Sequence, residues 1–116
     1  MERYIVNDNI TKKEIVNYVR KYNLFTEKYI GEFSIPKEYS RFYETSVIII
    51  KDKYITYPSR FMVIDNKIST DFSNDTKIVY RHLPGNTIFQ IIDEIIKQYK
   101  LILNDLKISK MNEDFK

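Results

Sequence analysis

The first periodic stretch of the chain lies at about residues 11–24 and predicts a helix. Ile15, Val16, Val19 and Tyr22 recur at i, i+1, i+4 and i+7, which gathers them on one face, while Lys13, Asn17, Arg20 and Lys21 project from the other side. Thr11-Lys12-Lys13-Glu14 has the form of a capping box, in which a hydroxyl and a carboxylate satisfy opposite orphan amides at the helix start. The basic stripe is read as a solvated face, the ordinary use of the polar side of an amphipathic helix.

The period then shortens. Lys28 to Ile35 alternates loosely as one strand and ends at Pro36, and residues 37–44 are polar and aromatic without a period, as in a loop or short helical turn. Ser46–Ile50 and Tyr54–Tyr57 are β-rich runs around Lys51-Asp52-Lys53, which predicts a hairpin. Phe61–Ile64 and Lys67–Ser69 flank Asp65-Asn66, predicting a second hairpin, because Asp and Asn tolerate the left-handed backbone of a two-residue turn. Ser73-Asn74-Asp75 marks a turn before a last strand at Lys77–Arg81. Such short connections favour antiparallel pairing, since parallel strands need long crossovers.

Helical spacing returns after Leu83-Pro84-Gly85-Asn86. Thr87-Ile88-Phe89-Gln90 is a second capping box, followed by Ile88, Ile91, Ile92, Ile95, Ile96, Tyr99, Ile102, Leu103 and Leu106 on one side. Asp93 and Glu94 come early, and Lys97, Lys100 and Lys107 late, in the order the helix dipole favours. Asp93 and Lys97 also stand four apart in the favourable orientation. The apolar stripe spans roughly 160° of the helical wheel, wider than a minimal core-facing stripe, and leaves Leu101 outside it. Burial against the chain's own sheet is its expected use, and pairing with a second copy in a homodimer is the other. The expected fold is therefore α+β, an antiparallel meander sheet of about four to six strands flanked by an N-terminal helix (about 11–24) and a long C-terminal helix (about 87–108). Residues 1–108 make one domain and 109–116 a frayed tail.

Composition narrows the chemistry. With 116 residues, 43% hydrophobic and 30% charged, the chain has the balance of one globular domain. The absence of cysteine excludes disulfide scaffolds, thiol nucleophiles and Cys-ligated metal centres. His82 is the only histidine, so no His-rich metal site is expected, and no metal or cofactor is assigned. No phosphate-binding loop, dinucleotide fingerprint or Gly-x-Ser-x-Gly turn occurs, and the two glycines cannot supply one. No catalytic residue is assigned. Asp71-Phe72-Ser73-Asn74-Asp75 lacks the spacing of a calcium loop and reads as an Asx-rich turn.

The net charge of +3 is spread without a block of like sign, and no apolar run approaches membrane-helix length. With no secretory signal visible, a cytoplasmic location is expected, that of the host if the source is viral. There are 19 Ile, 14 Lys and 9 Asn but no Ala, as expected of an AT-rich genome, whether of a virus, a plasmid or an AT-rich bacterium or archaeon.

Two sets of residues carry the functional expectations. Lys51, Lys53, Tyr54, Tyr57, Arg60 and Tyr80 place aromatic rings among cations on the sheet. Tyrosine-rich surfaces serve protein interfaces, and aromatic rings between bases also suit single-stranded nucleic acid. Arg81, His82, Asn86 and Thr87, around the start of the second helix, form a candidate anion site. The expected function is a small non-enzymatic protein-binding module, in concrete form a virus- or plasmid-encoded regulator or inhibitor of a host protein. Nucleic-acid binding through the sheet aromatics is the alternative.

Overall fold

A computed structural model describes residues 5–7, 10–71, 77–79 and 87–114. The chain is α+β, with two helices and mostly antiparallel strands among the described residues. Strands β1 (Ile5–Asn7) and β2 (Ile10–Thr11) form a small ladder that the hydrophobic pattern did not predict. Thr11 ends β2 and caps α1 (Lys12–Arg20): its hydroxyl oxygen accepts the Glu14 backbone N–H at 3.3 Å. The Glu14 carboxylate takes the Thr11 hydroxyl at 3.4 Å, so half of the predicted capping box forms as drawn. Helix α1 stops at Arg20, short of the expected 24, because Asn23 adopts a left-handed conformation (φ 52°) and its N–H bonds back to the Arg20 carbonyl.

The predicted strand at 28–35 is in fact a tight hairpin of β3 (Thr26–Tyr29) and β4 (Glu32–Ser34), turned at Gly31 with φ 81°. Together with β5 (Ser46–Ile50), β6 (Tyr54–Thr56) and β9 (Lys77–Val79) they make a five-stranded antiparallel sheet in the order β3-β4-β5-β6-β9. Val47 is an extra residue in β5, a bulge opposite the Phe33–Ser34 step of β4. A bulge interrupts strict alternation, and here the successive residues Val47 and Ile48 are both fully buried.

The predicted second hairpin, β7 (Arg60–Ile64) and β8 (Lys67–Asp71), is present but forms its own two-stranded ladder between β6 and β9. Asp65 and Asn66 both have positive φ (54° and 62°), the backbone of a type I′ turn. Asn66→Val should therefore cost about 1–2 kcal/mol, because a β-branched residue is strained there, while Asn66→Gly should be near neutral. Urea unfolding of the two variants checks this.

Helix α2 starts at Thr87 as expected, and its backbone runs on to Asp114, past the predicted end near 108; residues 115–116 lie outside the described residues. Its wide apolar stripe is used within this chain. Ile88, Ile92, Ile95, Ile96, Tyr99 and Leu106 are buried in one core with Ile15, Val16 and Val19 of α1 and with Phe33, Ile48, Ile50 and Ile55 of the sheet. Neighbours meet it on both flanks, which accounts for the width of the stripe. On one side Tyr18 of α1 packs on Phe89, with ring centres 4.7 Å apart; on the other Phe61 of β7 packs on Tyr99 at 5.7 Å. Asp93 does not face Lys97 but turns to α1, where its Oδ1 accepts the hydroxyls of Tyr18 (2.5 Å) and Tyr22 (3.1 Å). That bond raises the Tyr18 hydroxyl well above its ordinary pKa.

Candidate functional site

Most aromatic residues are consumed by packing. Among the described residues, the rings left exposed are Tyr29 (63%), Phe42 (56%) and Tyr43 (83%). Their placement follows from two local constraints. Strand β3 is an edge of the main sheet, so Tyr29 at its end has no neighbouring strand beyond it. The segment at 36–45 is pinned at both ends and stands proud between them. Tyr39 and Ser40 donate backbone N–H groups to the Pro36 carbonyl, Arg41 N–H donates to Ile68 of β8, and Ile68 N–H donates back to Tyr39. The buried hydroxyls of Ser40 and Thr45 are 2.6 Å apart, and Ser40 Oγ also donates to the Phe42 carbonyl. Ile35 N–H closes the segment on the Thr45 carbonyl at 2.9 Å.

The short stretch between these anchors carries Phe42, Tyr43 and Glu44 outward. Glu44 reaches across to β3 and forms an ion pair with Lys28, which holds the Lys28 ammonium above its ordinary pKa. Lys28 in turn lies 5.6 Å from the centre of the Tyr29 ring. Tyr43 and Glu44 border a shallow groove of about 320 Å³ with Thr26, Lys28, Ser34 and Lys37. The result is two exposed tyrosines flanking an ion pair, with a shallow groove beside them whose surface is mostly apolar. Large rigid rings that combine apolar area with a polar hydroxyl are what protein interfaces favour.

Sequence reasoning passed over this patch in favour of the strand aromatics. The signal that could have found it is the aperiodic run Arg41-Phe42-Tyr43, since rings in a segment without period 2 or 3.6 have no regular face to bury.

The residues singled out from sequence fall in separate places. Tyr54 is half-buried on the sheet face opposite the helices, with the Lys77 ammonium 4.1 Å from its ring centre. Lys51 lies on the same face and meets Glu32 at 3.4 Å, and Lys53 is exposed in the β5–β6 turn. Tyr57 and Arg60 instead border a groove of about 220 Å³ between the β6–β7 connection and α2, with Phe61, Ile91 and Gln98. Burial raises the Tyr57 hydroxyl pKa, and Arg60 is paired with Asp71 at 3.2 Å. Of the candidate anion site, Thr87 is half-buried as the first residue of α2. Arg81, His82 and Asn86 lie outside the described residues, as do Tyr80 and residues 72–75 of the Asx-rich turn.

Among the described residues no group of three or more His, Cys, Asp or Glu side chains could hold a metal ion, and no helix is long and apolar enough to cross a membrane. No protein-family model matches the chain, nor does any curated protein or solved structure.

Proposed function

We propose that this chain is a non-enzymatic module that binds a protein partner through Tyr29 and Tyr43 at the β3 edge. The observation that carries the proposal is the exposure of these two rings around the Lys28–Glu44 ion pair, in a molecule that buries or half-buries its other described aromatic rings apart from Phe42. Interface energy concentrates in a few aromatic and Arg side chains, and Tyr supplies contact area at low entropic cost. The version that fits the Ala-free, Ile- and Lys-rich composition is a virus- or plasmid-encoded regulator or inhibitor of a host protein. The nucleic-acid alternative has less support, because several of the residues it would use are already engaged. Lys77 overlies Tyr54, Lys51 pairs with Glu32, and Arg60 pairs with Asp71.

The test is a pull-down of tagged protein from source or host lysate, with and without nuclease, beside the double variant Tyr29→Ala/Tyr43→Ala. A protein retained in both halves should be lost with the variant, and its measured affinity should fall about 30-fold or more, the scale of hot-spot tyrosines. Both side chains are exposed, so the variant should melt within about 2 °C of the parent. Retention of the partner by the folded variant would overturn the assignment, as would capture that depends on nucleic acid.

A further inference from the structure

The seam between α1 and α2 carries a net positive charge, with three lysines beside the single carboxylate of Asp93. Elsewhere on the described surface, cations with and without a partner are mixed: Lys13, Lys37, Lys53 and Lys107 make no ion pair, while Lys12, Arg20, Lys28, Arg41, Lys51 and Arg60 each have a carboxylate within ion-pair distance. Three lysines at the seam do not: among the described residues, Lys21, Lys97 and Lys100 make no ion pair. Lys21 and Lys100 both lie close to one ring, their ammoniums 5.6 and 5.4 Å from the centre of Tyr22. The acid beside them, Asp93, is occupied by the hydroxyls of Tyr18 and Tyr22.

Under these cations lies an apolar floor. Tyr22, Ile96 and Leu101 line a shallow cleft of about 470 Å³ that Lys97 and Lys100 border, with Asp93 and Asn104 also on its rim. Leu101 is 53% exposed, on the outer side of a helix whose other face is filled by the core. A cation cluster over an exposed leucine is complementary to a segment carrying both carboxylates and aliphatic side chains.

We propose that this seam binds an acidic, amphipathic peptide segment of a protein partner. Its carboxylates would sit on Lys21, Lys97 and Lys100, and an aliphatic side chain would cover Leu101, Ile96 and Tyr22. A nucleic acid fits less well on two counts. The two ammoniums near the Tyr22 ring compete with a stacked base for it, and a phosphate backbone buries no apolar group on Leu101. The seam shares no residue with the Tyr29–Tyr43 patch, so the two assignments can fail separately.

The experiment uses the full chain and a fluorescein-labelled peptide of about twelve residues, roughly three helical turns, in which pairs of Glu alternate with pairs of Leu. Anisotropy should report saturable binding that weakens several-fold between about 50 and about 300 mM salt, since the contacts are exposed charges. Amide NMR shifts should cluster at residues 18–22 and 96–104. Lys97→Glu/Lys100→Glu should weaken binding about tenfold or more, while Lys13→Glu/Lys53→Glu, with the same change in net charge, should stay within about twofold. All four lysines are exposed, so both variants should fold. Absence of peptide binding, equal loss in the two variants, or shifts centred elsewhere would each overturn the proposal. Tighter, seam-dependent binding of an oligothymidylate of equal charge would replace it with a nucleic-acid site.

Discussion

Gly31→Val is expected to lower stability by about 3 kcal/mol, a drop of roughly 10 °C or more in melting temperature for a domain of this size. Gly31 sits at φ 81°, where a β-branched residue is strained. A Cβ there would also stand 2.7 Å from the Ile50 carbonyl oxygen, inside van der Waals contact with backbone that cannot swing aside. The same approach holds a hydrogen bond from Ile50 N–H to the Gly31 carbonyl at 2.8 Å, so moving the turn away sacrifices it. The turn is tied to α1 as well: Gly31 N–H donates to Glu27, whose carboxylate is gripped by Arg20 at 2.6 Å and held below its ordinary pKa mainly by that contact. Gly31→Ala should lose less, because it keeps the strain and the close contact without the branched side chain. Urea unfolding of the three proteins measures both steps, and a Val variant as stable as the parent would show that the turn is not held where the structure places it.

The second large effect concerns Tyr99. Its ring is fully buried against Phe25 (4.8 Å between centres) and Phe61 (5.7 Å), and among the described residues its hydroxyl finds no hydrogen-bond partner. Tyr99→Ala should cost about 3–5 kcal/mol, as other large-to-small changes at buried aromatic sites do. Tyr99→Phe should be neutral or stabilising by about 1 kcal/mol, because it removes an unsatisfied hydroxyl and keeps the packing. The two variants separate the ring from its oxygen.

A pH dependence follows from the same site. Burial, followed by the charges of Tyr39 and Glu38, pushes the Tyr99 pKa up from 10.0 to about 12. In the unfolded chain the hydroxyl loses its proton near 10.0, while the folded chain still holds it, so the unfolded state binds fewer protons and stability falls as pH rises. The contribution is intact below 10.0 and is lost progressively on the way to about 12. Comparing parent and Tyr99→Phe by chemical unfolding on both sides of pH 10.0 should show a steeper alkaline loss in the parent. Tyr18 adds a loss of the same sign through its bond to Asp93, and the difference between the two proteins cancels it.

Much of the architecture was legible in the chain because it rests on local chemistry. Thr11 caps α1 through its own hydroxyl, Asp65-Asn66 supplies the left-handed turn of β7–β8, and the isoleucines of α2 recur at the period that lays them along one face. Each choice is made by residues within a few positions of one another, so spacing alone suffices to read it. The errors fell where a single residue overrides a pattern: Asn23 stops α1 early, and Gly31 folds one apparent strand into two.

The exposure of a side chain is set instead by what packs on it, and those partners are distant in sequence. Tyr57 and Tyr54 looked like equivalent strand aromatics, yet Tyr57 turns toward α2, more than thirty positions along, while Tyr54 lies on the opposite side of the sheet under Lys77. Asp93 has the spacing of an intrahelical pair with Lys97, but the tertiary packing of α1 delivers two tyrosine hydroxyls to it and leaves the lysine to the seam. Composition, hydrophobic period and turn residues by themselves determined two helices, an antiparallel sheet and a tyrosine-rich chain without cysteine. Only the tertiary structure decided that Tyr29 and Tyr43 are the rings left in solvent, because burial depends on contacts between segments that no local pattern encodes.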